Sequence, residues 1–247
     1  MERIMEILAR CGYQSVNELA AELKVSDMTV RRYLDRLEEK ELIKRTHGGA
    51  FAGQEMIEVD YRIRETVKRA EKEAIGRLAF SLIQPGESVF IDAGTTPAYL
   101  AYAIDDTKRI TVVTNSLAVG RALENKTNVQ CLLLGGTVHG TTHSVVGPLA
   151  EEAISQFRFN KAFLGTSAID LVQGLSQSNF EEIPVKKKAA RQALRVIVLA
   201  DSSKFNMHVT FLFLPTGAVH TVVTDSGIAE SDRAALQEKG IEVLTTS

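Results

Sequence analysis

The sequence has 247 residues, of which 45% are hydrophobic and 24% charged, a composition typical of proteins that bury a core. The formal net charge is −2, so charge alone predicts no nucleic-acid partner, and a case for one must rest on where the basic residues fall. No apolar run reaches the roughly 18–20 residues of a membrane span, and the charged first residues lack the apolar core of a signal peptide. Two widely spaced cysteines, Cys11 and Cys131, indicate free thiols, which fits a cytoplasmic protein.

Residues 1–57 are predicted to fold into short helices followed by a β-hairpin. Ser15 and Glu18 have the spacing of a capping box, which starts the second helix. Ser26 is placed to cap the third helix, whose buried positions recur at helical spacing at Val30, Leu34 and Leu37. The run 42–51 alternates strand-forming residues with a Gly-rich turn, which predicts the hairpin.

The rest of the chain has a different pattern. Residues 58–74 are charged with helical spacing and predict a linker helix between domains at 1–57 and 75–247. Beyond the linker, short β-rich runs alternate with helical ones. These runs comprise residues 89–91, 111–113, 131–134, 162–164, 196–199, 221–223 and 241–244. Because they are apolar on both faces and separated by helices, they predict an α/β domain with a parallel sheet.

Two short helices across a tight turn, followed by a hairpin, are typical of a winged helix-turn-helix, whose second helix enters the major groove of DNA. Six of the nine Lys and Arg residues in 1–57 lie between residues 31 and 45, on that helix and the hairpin. Guanidinium groups there suit guanine edges or phosphates. The alternative is a small helical domain with a solvated charged face. The residues predicted to contact DNA are Ser26, Thr29, Arg31, Arg32, Lys44, Arg45 and His47.

Residues 25–38 and 42–50 resemble the DNA-binding signature of the DeoR family of bacterial transcription regulators. The similarity is long and ungapped, and it implies binding to double-stranded operator DNA. One departure is Tyr33, which stands where the family usually has Asp. A short acid beside a recognition helix can orient a neighbouring Arg, so Tyr33 puts that orientation in question, although it is also spaced to pack, three residues after Val30.

Polar or Gly-rich turns follow three consecutive strands of the predicted sheet. Gly allows backbone N–H groups to approach a ligand, and a helix N-terminus such as the one predicted near Pro97 favours an anion. Parallel sheets bind ligands beyond the carboxyl ends of their strands, so the three turns predict one pocket, although each alone could be an ordinary loop. The candidate residues in these turns are Asp92, Gly94, Thr95, Thr96, Thr114, Asn115, Gly135 and Gly136.

A further set of charged residues lies in the second half of the chain. Asp201 and Lys204 follow the predicted strand 196–199, and Glu182 and Lys186 precede it. A Lys is a compact donor for phosphate, and a carboxylate accepts hydrogen bonds from sugar hydroxyls. The alternative for Lys186 is that residues 186–188 form a solvated basic face of a helix.

The second half also resembles the DeoR effector domain, through motifs that include residues 92–96, 146–148, 162–165 and 201–205. The resemblance thus covers nearly the whole chain and adds Gly165 to the candidate site. It implies a fold similar to ribose-5-phosphate isomerase, glucosamine-6-phosphate deaminase and CoA transferases, and sensing of a phosphorylated sugar. Departures from the family pattern are Ala93, the run 166–169 and Ile183-Pro184.

The leading hypothesis is a repressor of sugar-metabolism genes whose operator binding is controlled by a phosphorylated sugar. The rival is a sugar-phosphate isomerase or deaminase with an attached DNA-binding domain, using Asp92, Glu182 or Asp201 as general base. A third hypothesis is a DNA-binding protein with a vestigial, ligand-free second domain. The sequence shows no convincing acid–base pair, so we expect no enzyme activity.

We expect no cofactor and no metal. His139 and His143 are four residues apart, but Gly140 and the adjacent threonines disfavour a helix, so a polar loop is the preferred interpretation. Because winged helices recognise half-sites, we expect a homo-oligomer, a dimer or tetramer, and no membrane partner.

Overall fold

The computed structural model describes residues 1–11, 13–40, 42–45, 49–52 and 61–246. The chain divides into two compact units, Met1–Val67 and Lys68–Ser247. No helix in these described ranges is both long and apolar enough to cross a membrane.

The first unit contains the predicted helices and hairpin. Its elements are α1 (Glu2–Cys11), β1 (Tyr13–Ser15), α2 (Val16–Leu23), α3 (Asp27–Glu38), β2 (Ile43–Arg45), β3 (Gly49–Ala52) and α4 (Tyr61–Thr66). The strands form an antiparallel sheet in the order β1-β3-β2. The winged helix-turn-helix is confirmed, and β1 is a strand that the sequence pattern did not predict.

Local hydrogen bonds explain where α2 and α3 begin. The backbone N–H of Ser15 donates to Glu18 Oε2 at 2.7 Å, and the N–H of Glu18 donates to Ser15 Oγ at 3.2 Å, which completes the predicted capping box. Lys24 ends α2 in the left-handed conformation, with φ of 54°. Ser26 Oγ accepts from the N–H of Thr29 and caps α3. The predicted stripe on α3 is buried, and it packs in a core with residues that include Ile4, Leu8, Leu19 and Ile43.

The second unit has alternating helices and strands. Its helices are α5 (Arg69–Ser81), α6 (Thr95–Ala103), α7 (Leu117–Leu123), α8 (Pro148–Ile154), α9 (Ile183–Gln192) and α10 (Glu230–Glu238). Its strands are β4 (Ser88–Ile91), β5 (Ile110–Thr114), β6 (Val129–Leu133), β7 (Thr137–His139), β8 (Ser144–Val146), β9 (Phe159–Leu164), β10 (Ala168–Asp170), β11 (Gly174–Gln177), β12 (Ala193–Leu199), β13 (Phe211–Leu214), β14 (Thr221–Thr224) and β15 (Glu242–Thr245).

Seven strands form one parallel sheet in the order β15-β14-β12-β9-β4-β5-β6. They correspond to the seven apolar runs of the sequence, so the predicted α/β fold class is confirmed. The first strand of this sheet is β4, and the chain then adds β5 and β6 on one side of it. The next strand of the sheet, β9, lies on the other side of β4. The strand order therefore reverses between β4 and β9, which is where sheets of this kind bind ligands.

Two small antiparallel elements were not predicted. β7 pairs with β8 as a hairpin, and β10, β11 and β13 form a second sheet in that order. Their strands are only three or four residues long, too short for a hydrophobic period to stand out.

The linker prediction over residues 58–74 differs from the structure. Residues 58–60 lie outside the described residues, and the helical stretch that follows is two helices, α4 and α5, rather than one. The break occurs at Val67 and Lys68, where Lys68 has a left-handed backbone with φ of 53°. A continuous helix cannot contain that conformation, so α5 begins a new helix directly after it.

Candidate functional site

The helix α3, predicted to be the recognition helix, presents two arginines to solvent. Arg31 and Arg32 are exposed on α3, whereas Thr29 is half-buried and its hydroxyl lies 3.0 Å from that of Ser26. Ser26 therefore holds both the N–H and the side chain of Thr29 at the start of the helix. This places two guanidinium groups beside a fixed N-terminal turn, the part of a recognition helix that faces base edges.

Tyr33 packs against the core of the first unit and is half-buried. The guanidinium carbon of Arg32 lies 5.8 Å from the centroid of the Tyr33 ring, a cation–π distance. Tyr33 stands where the family usually has a carboxylate, and its aromatic face contacts Arg32 instead.

The predicted wing contacts are only partly described. The backbone of Lys44 and Arg45 lies in β2, but their side chains fall outside the described residues, as does His47 entirely. Their contacts with DNA stay predictions.

The centre of the second unit's site is a buried ion pair at the carboxyl ends of β4 and β9. The ammonium group of Lys186, on α9, donates to Oδ2 of Asp92, and the two side chains are 1% and 0% exposed. The N–H of Gly165 donates to the same Oδ2 at 2.9 Å, while the Gly165 carbonyl accepts from Lys186 at 3.1 Å. Asp92, Gly165 and Lys186 therefore form a closed triangle at the point where the strand order reverses.

The other oxygen of Asp92, Oδ1, is buried and has no hydrogen-bond partner among the described residues. Burial raises the pKa of the Asp92 carboxyl from 3.8 to about 6, the positive charge of Lys186 opposes this, and the negative charge of Glu182 adds to it. A buried polar atom normally has a partner, so this oxygen is an unused hydrogen-bond acceptor.

Glu182 is 2% exposed and lies in a 3-10 helix, Phe180–Glu182, that leads into α9. Its Oε2 accepts from the side-chain amide of Gln177 at 2.5 Å. Gln177 ends β11 and was missed by the sequence analysis, because the small sheet that carries it was not predicted. The sequence signal is the polar run 176–179 after a Gly-Leu pair, and the structure buries most of that run.

His139, interpreted from sequence as part of a polar loop, contacts this region from the β7–β8 hairpin. Its ring Nε2 lies 3.2 Å from Asn179 Nδ2 and 3.7 Å from Glu181 Oε2. No group of His, Cys, Asp and Glu residues in the described part of the chain has the geometry of a metal site. The hairpin is thus tied to the segment that carries Glu182.

Thr114 and Asn115 position the turn after β4 and are both completely buried. Asn115 Oδ1 accepts from the N–H of Ala93 at 3.1 Å, and the Thr114 hydroxyl donates to the carbonyl of Ile91 at 2.6 Å. Their side chains are therefore engaged with backbone, which fixes the geometry of the Asp92 turn.

Gly94 precedes α6 and has φ of 148°, a conformation that favours glycine. Gly94, the N-cap residue, has no side chain to cap this helix, and no side chain in the described part of the chain accepts from the N–H groups of Thr95 or Thr96. An uncapped helix N-terminus beside the ion pair can accept an anionic group.

The remaining predicted residues lie elsewhere. Gly135 and Gly136 are exposed after β6, and Gly136 lies against β8. Asp201 caps the 3-10 helix Ser202–Lys204 after β12, two strands from β4, through the N–H of Ser203 at 3.1 Å. No hydrogen bond or ion pair in the described ranges links Asp201 or Lys204 to Asp92.

Comparison with known families matches both units. Residues 1–55 match the family described as "DeoR-like helix-turn-helix domain", and residues 67–226 match "DeoR C terminal sensor domain". The chain belongs to the DeoR family. These matches confirm the resemblance inferred from the sequence motifs in both halves of the chain.

Individual DeoR-type relatives extend over most of the chain. The glycerol-3-phosphate regulon repressor of Escherichia coli is 32% identical over 90% of this chain and 88% of its own length. The lactose phosphotransferase system repressor of Lactococcus lactis is 34% identical over 93% of this chain and 91% of its own. Among solved structures, ribose 5-phosphate isomerase A of Methanocaldococcus jannaschii is 14% identical with a TM-score of 0.43, over 56% of this chain and 55% of that one.

Proposed function

We propose that this chain is a repressor of sugar-metabolism genes that binds operator DNA through α3 and the wing, and whose operator affinity is changed by a phosphorylated sugar. The observation that carries the effector half of the proposal is the unpartnered, buried Oδ1 of Asp92 beside the uncapped N-terminus of α6. The two features suit opposite ends of one ligand: a hydroxyl for the carboxylate and a phosphate for the helix.

The basic residues near the strand ends support a phosphate as the anionic group. Lys186 is already paired with Asp92, so its charge is largely neutralised in this structure. Lys204 forms no ion pair with any described residue and is half-buried at the end of β12. A second charge on the ligand would give Lys204 a partner.

The names of two relatives point in the same direction. One is a repressor of a glycerol-3-phosphate regulon and the other of a lactose phosphotransferase system. We therefore propose a phosphorylated sugar or polyol as the class of ligand for this chain, and we name no individual compound.

Operator recognition by a winged helix supports a homo-oligomer. One winged helix contacts a single half-site, and paired half-sites require a two-fold-related pair of α3 helices. A dimer, or a tetramer built from dimers, supplies that pair.

The test is isothermal calorimetry with sugar phosphates and the unphosphorylated parent of each, in the absence and presence of an operator fragment isolated by selection from random DNA. We expect binding of the phosphorylated member only, with a change in DNA affinity of about 5–150-fold and an equal change of sugar affinity by DNA. Equal affinity for both members of every pair would overturn the phosphate site.

A variant pair sharpens this test. Lys204→Ala should weaken the phosphorylated ligand by roughly tenfold or more, the size of a missing charge-assisted hydrogen bond, and leave operator affinity in the absence of ligand unchanged. Arg121→Ala removes an exposed cation from α7 and should leave ligand affinity unchanged. A substitution at Gly94 is a poorer test, because its φ would strain any side chain.

The rival, an isomerase or deaminase, is supported by one observation. A carboxyl with a pKa near 6 and an unpartnered oxygen has the properties of a general base. A turnover assay on each sugar phosphate that binds separates the two functions: ligand binding with no product supports the regulator, and product formation that Asp92→Asn abolishes supports the enzyme.

A further inference from the structure

β13 lies at an edge of the small antiparallel sheet. The order β10-β11-β13 gives it β11 as a neighbour on one side and, among the described strands, none on the other. Phe213 and Leu214 are buried, whereas Phe211 is half-buried and Leu212 is exposed, so the open part of this edge lies at residues 211 and 212. Such an edge is a template for pairing with a further chain.

The side chains of this edge are apolar. β13 has the sequence Phe-Leu-Phe-Leu, without the Lys or Pro that natural proteins use to protect an edge strand. Leu212 is 49% exposed, and Phe180, which is 62% exposed, packs edge-to-face on Phe211 with ring centroids 5.4 Å apart. We call the contacting pair Phe180 and Phe211, together with the next strand residue, Leu212, the β13 patch.

A groove of about 420 Å³ runs between β13 and α9. Its apolar lining comes from residues 212–215 and Ala218, and its basic side comes from Lys187 and Arg191 on α9. Neither cation forms an ion pair with any residue in the described part of the chain. The groove therefore combines exposed apolar atoms with two available positive charges.

The opposite charge is present at the other border of the β13 patch. Glu181 follows Phe180 directly, and its side chain is 63% exposed. In a two-fold interface, a charged group away from the axis meets a different part of the same patch on the partner, so charges of opposite sign on one patch can pair across the axis. Glu181, which also lies near His139, and the two cations Lys187 and Arg191 have such opposite signs.

We propose that β13 pairs antiparallel with β13 of a second copy of this chain, joining two three-stranded sheets into one of six strands. Antiparallel pairing of identical strands has a two-fold axis between them, the symmetry that paired DNA half-sites require. The pairing buries Leu212 and Phe180 and places Glu181 near the basic side of the partner's groove. The interface does not depend on the sugar-phosphate proposal, because none of its residues belongs to the proposed effector site.

The test compares two lysine substitutions in the full chain. Leu212→Lys introduces a charge at the centre of the proposed interface, on a side chain that is already half exposed. Val172→Lys introduces the same charge in the turn between β10 and β11 of the same sheet, where Val172 is 82% exposed. Sedimentation equilibrium over a range of concentrations, without DNA or ligand, gives the dissociation constant of the dimer.

We expect wild type and Val172→Lys to form dimers of equal stability, or tetramers, and Leu212→Lys to raise the dimer dissociation constant about 100-fold, roughly tenfold for each of the two buried charges. If the wild type is a tetramer, Leu212→Lys should reduce it to a dimer. A wild type that is monomeric, or a Leu212→Lys variant that associates like wild type, overturns the proposal.

A second measurement needs no variant and guards against misfolding of Leu212→Lys. Amide hydrogen exchange of wild type above and below its dissociation constant should show slower exchange at residues 211 and 212 in the associated form, because the open edge gains hydrogen-bond acceptors. Exchange over this segment that does not change with association contradicts the pairing, whichever other surface joins the subunits. A different protein as the occupant of this edge would give the same negative result.

Discussion

Lys186 reaches Asp92 from 94 residues further along the chain, and the two form an ion pair that is 1% and 0% exposed. Removing either partner leaves the other charge buried, so Asp92→Asn and Lys186→Met should each lower the free energy of unfolding by about 3–5 kcal/mol. The double variant removes both charges of this pair. Its loss of unfolding free energy should therefore be clearly smaller than the sum of the losses of the two single variants. Urea unfolding of the four proteins measures the coupling.

The exposed pair Arg195–Glu242 is the control for this cycle. Its nitrogen and oxygen lie 3.2 Å apart, and the side chains are 51% and 52% exposed. Solvent screens this pair, so its coupling should be at most about 1 kcal/mol. Equal coupling energies for the two pairs would contradict the buried character of the first.

The raised pKa of Asp92 predicts an unusual dependence of stability on pH. Between pH 3.8, the ordinary pKa, and about 6, the folded carboxyl keeps a proton that the unfolded chain releases. The folded state therefore binds more protons in this window, and the contribution of Asp92 to the free energy of unfolding falls as pH rises.

The reference for this measurement is the Asp92→Asn/Lys186→Met double variant, in which neither group titrates. The unfolding free energy of wild type minus that of the double variant should fall by about 2 kcal/mol from pH 4 to pH 7, since each unit of pKa shift is worth roughly 1.4 kcal/mol and part of the change already lies below pH 4. A difference that stays constant over this range, or rises, would show that the Asp92 carboxyl has an ordinary or lowered pKa.

The two glycines after β6 should differ sharply on substitution by alanine. A Cβ on Gly136 would lie 2.6 Å from the carbonyl oxygen of Val146, at a φ of 152°, whereas a Cβ on Gly135 would meet nothing within 4 Å. Gly136→Ala should cost about 1–3 kcal/mol of stability and Gly135→Ala less than about 0.5 kcal/mol. Similar melting temperatures for both variants would show that the β7–β8 hairpin does not pack on Gly136.

For DNA binding, Arg32→Ala should weaken the selected operator by roughly 1–3 kcal/mol, because a guanidinium at the start of a recognition helix can bind a guanine edge. Thr29→Ala should cost less, about 1 kcal/mol, since the Thr29 hydroxyl is already engaged with Ser26. Arg36→Ala, in the last turn of α3, is the matched control and should change affinity least. Fluorescence anisotropy with operator and scrambled DNA measures all three. The recognition-helix assignment fails if Arg32→Ala binds operator like wild type.

Substitutions in the wing, the β2–β3 hairpin, should change DNA affinity in a different way from those in α3. Lys44→Ala or Arg45→Ala should weaken all DNA sequences about equally, because a phosphate is present at every base pair. Each substitution should also reduce the slope of log affinity against log salt by roughly 0.9 for every phosphate that the variant no longer neutralises. Titrations at several salt concentrations test this. A weakening confined to the operator, with an unchanged slope, would indicate that these residues bind bases instead.

The parallel sheet could be predicted because each of its strands is apolar on both faces and bounded by turn residues, a pattern local to the sequence. The small sheet could not, because β10 and β11 are short and β13 joins them from more than 30 residues away. The lysine triplet shows the same limit. Lys187 and Lys188 are half-buried while Lys186 is fully buried, and the difference depends on Asp92, a partner that helical periodicity cannot reveal.

The ammonium group of Lys186 also lies 5.5 Å from the centroid of the Phe213 ring, on the inner side of β13. One side chain thus contacts both the strand-end triangle and the strand at the sheet edge. A ligand that draws Lys186 away from Asp92 would also remove a cation from the face of Phe213, whose ring borders the groove between β13 and α9. We therefore expect occupancy of the proposed sugar site to change the strength of the proposed β13 pairing, so that effector concentration alters the oligomeric equilibrium even when no DNA is present.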